Sequence, residues 1–401
     1  MKNTIKTAII GGGASGLFLA SLLRGENIAI FERGDRVGKK LSATGNGQGN
    51  VSNLKVEDGG YFSYGKSGEA LAKNLVQRYN YASLKQHLQS LGLLLTVDER
   101  GRVYPAGKQA SAITDALRFY VAEKGVVVHT GVKIDKIEKT SDGFCLFADE
   151  DKYYAQSVVL CTGGKASKHF GTDGNGYNLA QAFGHTITPL YPALVQLKTQ
   201  TQEVKSLKGI RVSPACVCAE YDKGKKTLVG DLLFTEYGVS GDVIFRLSSF
   251  VIDKVEKGVT LYIDFLPEFT YEEVESAVKE KRARFPRMPF GELLCGIVNN
   301  QVGRAVAKKA NENIDKAIAL LKNFPLQVTG SLGFDYAQVT KGGISTDEVD
   351  ENLQSKKVNG LYFAGEILDI DGECGGFNIQ WAYSSASAVA NALNSKTRGQ
   401  V

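Results

Sequence analysis

The sequence predicts an α/β fold: a parallel sheet built around an N-terminal βαβ unit, interrupted by a β-barrel-like module and a small helical domain, and completed by the C-terminal segment. Three observations predict it. Residues 5–32 run strand, glycine turn, apolar helix, strand. From about Pro189 the chain changes to short β-branched runs. After Leu332 α/β features return, with a strand and glycine turn at Leu361–Gly365.

The βαβ unit comes first. Gly11, Gly13 and Gly16 have the G-x-G-x-x-G spacing. The first permits a tight turn, the second lets backbone approach a pyrophosphate, and the third lets helix pack closely on sheet. The helix start, with Ala14, offers free N–H groups and a positive dipole end to phosphates. Glu32 ends the second strand about 20 residues on, where a carboxylate binds the hydroxyls of an unphosphorylated ribose. An ordinary tight βα turn would share the glycines; the strand before, the helix after and the terminal acid point to a dinucleotide site.

Residues 39–53, Lys-Lys-Leu-Ser-Ala-Thr-Gly-Asn-Gly-Gln-Gly-Asn-Val-Ser-Asn, are too rich in Gly and Asn for a helix or strand interior. A long glycine-rich loop in this place would run under a pyrophosphate toward a reactive ring. An amphipathic stretch near Gly68–Leu91 follows, then Gly101–Pro105, a helix at about Ala110–Lys124 and a strand at Val126–His129. Residues 132–154 alternate as a β-meander with turns at 141–143 and 149–151. The strand Ser157–Cys161 runs into Thr162-Gly163-Gly164, and Gly171–Gly176 opens another helix. Residues 191–266 read as antiparallel strands of a barrel or folded sheet. Residues 268–323 read as helices punctuated by Pro286, Pro289 and Pro325, with basic residues on a solvated face. The last strand, Leu361–Phe363, leads through Gly365, Glu366, Asp369, Asp371 and Gly372 to a small-residue helix from about Gln380 to Leu393. Such a helix start aims its positive end at whatever lies beside it.

Composition excludes several classes. Charged residues at 23% and apolar ones at 43% describe an ordinary globular protein, and a formal charge of +5 is mild for 401 residues. No nucleic-acid partner is implied. The first strand begins at once, leaving no room for a signal peptide, and no apolar stretch approaches a bilayer span. Cysteines 145, 161, 216, 218, 295 and 374 are scattered, which fits reduced thiols in cytoplasm. There is no C-x-x-C for a flavin–disulfide relay, and neither the Cys216/Cys218 pair nor the four dispersed histidines have metal-ligand spacing. Cys374, in a glycine-rich loop, reads as a small residue in a tight turn more than as a reactive thiol. The expectation is a cytoplasmic protein with no metal and no membrane partner; oligomeric state is left open.

Six segments together resemble the FAD-dependent oxidoreductase family of aminoacetone oxidases and bile-acid-type reductases. They are Gly11–Gly16, Leu41–Asn53 with its Ala-Thr-Gly-Asn-Gly run, Gly101–Pro105, Cys161–Gly176, Leu233–Gly241 and Leu361–Trp381. The resemblance implies a glutathione-reductase-like Rossmann FAD domain with an inserted β-barrel-like domain and a small helical domain. Its expected boundaries are 1–189 and 335–401 for the FAD domain, 190–267 and 326–334 for the β module, and 268–325 for the helices. It also implies non-covalent FAD. Ala14 with Gly11, Gly13 and Gly16 would hold pyrophosphate, and Glu32 with Arg33 the adenosine ribose. Lys39 and Leu41 would start the phosphate-facing loop; Thr44, Gly45, Asn46, Gly47 and Asn50 would continue it to the ring. Val132 would pair its backbone with adenine. Thr162 and Gly163 would approach the adenosine side, and Gly365, Glu366, Asn378 and Ile379 would surround ribityl and pyrimidine. One departure stands out: Gln48-Gly49 occupies the place of Arg-Cys in many relatives, a variant similar to the streptococcal-type aminoacetone oxidases.

Flavin accepts hydride itself, so no catalytic base is mandatory and the sequence signals none. Tyr104, Glu236 and Glu373 are candidates that also read as structural hydrogen-bonders. Three functions fit. The first is an oxidase of a small primary amine, aminoacetone by resemblance, with molecular oxygen as acceptor and hydrogen peroxide as product. The second is an NAD(P)H-dependent flavin reductase of an unsaturated substrate, weakened by the single dinucleotide fingerprint. The third is a non-enzymatic flavin-binding redox sensor.

Overall fold

The computed structural model describes residues 4–222 and 224–398. The first strand, β1 (Ile5–Ile10), lies in a seven-stranded sheet. On one side it pairs in parallel with β2 (Ile28–Glu32), which pairs in parallel with Val127–Thr130. On the other side it pairs in parallel with a long strand, Asp151–Leu160. That strand serves two partners along its length. Its first half pairs antiparallel with Gly143–Ala148, and its second half pairs in parallel with Leu361–Phe363. The strand expected at 157–161 is therefore the end of a longer element whose start belongs to the meander Lys136–Thr140, Gly143–Ala148. Ala8, Ile9, Ile30, Val158, Val159, Leu361 and Phe363 are buried, the near-continuous apolar pattern of a sheet covered on both faces.

Helix α1 (Ala14–Leu22) packs against this sheet, and the C-terminal helix Phe377–Arg398 packs against α1. Gly16 sets the helix height: a Cβ there would collide with the Gly11 carbonyl oxygen. The C-terminal end of α1 has no basic residue of its own. Lys124, just after the helix Ala110–Glu123, supplies the charge. Its Nζ donates to the carbonyls of Ala20 (3.0 Å), Ser21 (2.8 Å) and Leu23, satisfying the orphan acceptors of the last turn. The amphipathic stretch expected at 68–91 forms two helices, Gly68–Arg78 and Tyr81–Ser90. The break falls where Asn80 accepts from the Ser83 amide as an N-cap.

The chain divides into two compact units, Met1–Tyr191 with Val339–Val401, and Pro192–Gln338. The second contains a closed six-stranded barrel: Leu197–Thr199, Gly238–Ser240, Gly224–Phe234, Arg211–Tyr221, Val259–Asp264 and Phe324–Ser331. The last of these strands follows the helices Tyr271–Arg284, Asn300–Ala310 and Ile314–Lys322, so the barrel closes only after the helical segment. Thr270 and Glu273 form a capping box at the first of those helices. No helix among the described residues is long and apolar enough to cross a membrane.

Replacing Lys124 by Met leaves three helix-end carbonyls without their donor. Thermal unfolding should show a loss of about 1.5–3 kcal/mol, the range for hydrogen bonds to a charged group. Unchanged stability would mean that the lysine does not hold the end of α1.

Candidate functional site

The glycine turn after β1 is the floor of the candidate site. Gly13 is the N-cap of α1 and no side chain caps that end, so the first-turn amides keep their donors. No atom stands within 4 Å of where a Cβ on Gly13 would project, which leaves room for a group to approach the turn. Glu32 braces the turn from the end of β2: Oε2 accepts from the Gly12 amide at 2.9 Å and Oε1 from the Gly34 amide at 2.7 Å. A carboxylate so fixed retains lone pairs for two ribose hydroxyls. The uncapped helix start, the open space and the braced acid fit the adenosine diphosphate half of a dinucleotide.

The remaining expected residues fall on this unit in distinct ways. Arg33 ion-pairs with Asp173 at 2.6 Å and donates to the Gly171 carbonyl, tying the segment 171–176 to the end of β2. The Val132 amide donates to the Glu32 carbonyl at 3.0 Å, so its own carbonyl is the group that can face a base. Lys39 pairs with Asp35 at 2.5 Å, and Leu41 is a buried core residue. Thr44 donates to the Lys40 carbonyl, and Asn46 takes a positive φ in a loop that Gly45 and Gly47 share. Asn50 is buried; its amide nitrogen donates to the carbonyls of Ser52 (3.0 Å) and Val103 (3.2 Å), and its oxygen accepts from Gly376. Thr162 and Gly163 follow the central strand, and Gly163 faces Thr172. Gly365 is clamped by Ser385 Oγ on its amide and Trp381 Nε1 on its carbonyl. Asn378 exchanges two hydrogen bonds with Gly372, at 2.9 and 2.8 Å, and Ile379 packs on the core.

Three residues not expected at the site take part in it. Lys40, next to the residue singled out, is the lysine that reaches Glu366, at 2.9 Å. Glu366 also accepts from the Thr340 amide at 2.9 Å, while the Thr340 hydroxyl accepts from the amides of Lys165 and Ala166. Helical phase at 39–42 could have separated the two lysines; nothing local marks Thr340. Asp369 is fully buried, and its Oδ2 accepts from the Tyr64 amide (2.9 Å), the Gly65 amide (3.0 Å) and Ser63 Oγ (3.2 Å). Burial pushes its carboxyl up to about 6, against the opposing pull of those donors.

Of the catalytic candidates, Tyr104 is buried on the strand Arg102–Pro105, and Glu373 donates its amide to the Gly60 carbonyl. Glu236 belongs to the other unit, exposed and paired with Lys208. No group of three or more His, Cys, Asp or Glu among the described residues could hold a metal ion.

The fold and the braced glycine turn define a Rossmann-type dinucleotide-binding oxidoreductase. The family model described as "HI0933-like protein Rossmann domain" matches residues 5–392, and the chain belongs to that family. It is an FAD-dependent oxidoreductase, which sets aside the non-enzymatic sensor. The chain is 33% identical to a 3-dehydro-bile acid delta(4,6)-reductase from Clostridium scindens, covering 96% of this chain and 98% of that one. It is 29% identical to the ribosomal RNA dihydrouridine synthase of Escherichia coli, covering 96% and 97%. Among solved structures, the 3-ketosteroid-delta4-(5alpha)-dehydrogenase of Rhodococcus jostii superposes with a TM-score of 0.52 at 13% identity, over 97% of this chain and 96% of that one. The E. coli quinol fumarate reductase subunit FrdA gives 0.51 at 16% identity, over 99% and 71%. These two likenesses concern the fold.

Glu32→Arg should lower the flavin-to-protein ratio of the purified protein by about tenfold or more, because it removes the turn's brace and sets a cation where the ribose hydroxyls would lie. Unchanged flavin content would remove Glu32 from the site. Asp369 makes a separate prediction. Burial holds its pKa at about 6 in the folded chain, above the ordinary aspartate value of about 3.9, so the folded chain holds the proton more tightly. That stabilisation is complete below about pH 4 and is lost as pH rises through 6. The melting temperature of the wild type relative to Asp369→Asn should therefore fall between pH 4 and 6 and level off above 7; a flat difference would refute the shift.

Proposed function

We propose that this flavoenzyme oxidises a small primary amine and passes the electrons to molecular oxygen. The substrate suggested by the family resemblance is aminoacetone: with one oxygen and one water it gives methylglyoxal, ammonia and hydrogen peroxide. FAD, when bound, supplies the hydride acceptor. The residues proposed to hold it are those brought to one unit: the turn at Gly11–Gly16, Glu32, the loop Thr44–Asn50, Gly365, Glu366 and Asn378.

Gly49 carries the reading. It stands where many relatives have the cysteine of Arg-Cys, with φ +80°, and a Cβ there would lie 2.9 Å from the Ala110 Cα and 3.0 Å from the Ile113 Cδ1. The loop therefore has no room for a thiol at this position. Reducing a carbon–carbon double bond requires a hydride on one carbon and a proton on the other, hence an acid. Oxidising a neutral amine requires only that the hydride leave. A loop that excludes the thiol and replaces the neighbouring cation with Gln48 supports the second kind of chemistry.

A second reading has its own support. The relatives from C. scindens and E. coli carry the names of a bile acid reductase and a dihydrouridine synthase. On that reading a nicotinamide nucleotide supplies electrons for reduction of an unsaturated substrate.

Anaerobic mixing separates the two. Aminoacetone should bleach the flavin rapidly, and oxygenated buffer should restore it with one peroxide per flavin. Rapid bleaching by NAD(P)H, with slow reoxidation by oxygen, would replace the oxidase with the reductase.

A further inference from the structure

We propose that Arg102 and Tyr104 form a recognition site for a carbonyl or carboxylate oxygen of the substrate, selecting molecules in which that oxygen lies close to the reacting carbon. The proposal deepens the amine-oxidase reading and rests on it for the choice of substrate.

The strand Arg102–Pro105 pairs antiparallel with Ser52–Asn53, setting Ser52 opposite Val103 and Asn53 opposite Arg102. Strand alternation sends Val103 into the core, where it is fully buried, and puts Arg102 and Tyr104 on the other face. The guanidinium carbon lies 5.9 Å from the centre of the Tyr104 ring. Asp98 fixes the arginine through one edge only: Arg102 Nε donates to Oδ2 at 2.8 Å, while Oδ1 accepts from the amides of Arg100 and Arg102, each at 2.9 Å. Among the described residues the two Nη groups and the Tyr104 hydroxyl have no protein hydrogen-bond acceptor; the Arg102 side chain is 35% exposed, so its free edge faces outward from the strand.

An ion pair with Asp98 accounts for Nε. It leaves a planar edge of N–H donors beside a phenol on one face, open to a ligand, with the Cys374 thiol in electrostatic reach of both side chains. That arrangement matches the lone pairs of an sp² oxygen. Two segments assigned by resemblance to the flavin border it. Asn53 Nδ2 donates to the Gly375 carbonyl at 3.1 Å, and a Cβ on Gly375 would lie 3.7 Å from Arg102 Cδ, just before the C-terminal helix. On the other side a Cβ on Gly49 would lie 3.2 Å from Pro105 Cδ. The guanidinium repels an ammonium, so a bound aminoketone would turn its oxygen toward Arg102 and keep its nitrogen away. The same charge favours the neutral amine, the form from which hydride can leave.

The test uses holoenzyme, with pyruvate as an unreactive carbonyl probe and propylamine as an amine without a carbonyl. Pyruvate should perturb the oxidised flavin spectrum of the wild type. Arg102→Gln should weaken that binding about tenfold or more, and Tyr104→Phe by a smaller factor, with flavin content retained. The ratio of kcat/KM for aminoacetone to that for propylamine should fall in parallel, with partial recovery in Arg102→Lys. If pyruvate leaves the wild-type spectrum unchanged, or binds the wild type and Arg102→Gln equally, the recognition site is wrong. If aminoacetone fails to reduce the flavin while pyruvate binding still depends on Arg102, the oxidase reading fails and the recognition site stands.

Discussion

The hold of Glu32 on the amides of Gly12 and Gly34 is the contact on which the candidate site depends. One carboxylate fixes both sides of the chain crossing at the carboxyl end of β1 and β2. With that crossing fixed, Gly16 brings α1 down onto the turn and Lys124 neutralises its far end, so the near end keeps its donors for a ligand. Removal of the carboxylate would leave two amides to find other partners and the turn free to relax. Gly11, at φ +105°, takes the backbone conformation that the turn requires and that other residues rarely adopt.

A second, polar seam joins the ends of the same unit. Lys40, Glu366 and Thr340 come from three distant stretches and satisfy one another at 2.9 Å. Ser52 and Gln380 add a buried hydrogen bond of 2.6 Å between the glycine loop's end and the C-terminal helix. The Lys40–Glu366 and Ser52–Gln380 contacts each span more than 300 residues, and the loop entropy they oppose grows only slowly with such a separation. A long insertion between the halves of the unit is therefore thermodynamically tolerable. The barrel repeats the pattern, since its closing strand Phe324–Ser331 arrives after the helices and pairs with both Val259–Asp264 and Leu197–Thr199.

Charge and sterics around the glycine loop then narrow the chemistry. Gly49 fills a place too tight for any side chain, and Gln48 beside it is uncharged. Arg102 brings positive charge from a neighbouring strand, oriented by Asp98 and backed by an aromatic ring. Where the family it resembles often carries Arg-Cys, the loop has neither a cation nor a thiol at 48 and 49, while the adjacent strand holds Arg102.

The sequence by itself determined what short-range physics encodes. Glycine spacing, strand alternation and the acid at position 32 specified the βαβ unit and its dinucleotide; β-branched runs specified antiparallel strands of a barrel or folded sheet; the Ala-Thr-Gly-Asn-Gly and Gly-Gly-Phe-Asn segments carried the family likeness. The tertiary structure decided what no local pattern contains. It turned Lys40 rather than Lys39 toward Glu366, occupied the Val132 amide with Glu32, and buried Asp369 against the amides of Tyr64 and Gly65. It also gave Arg102 and Tyr104 a common face, the guanidinium 5.9 Å from the ring centre. The physical reason is range: a turn or a helix start depends on the few residues around it, whereas the partner of a charged side chain depends on which distant segment the packing brings within 3 Å.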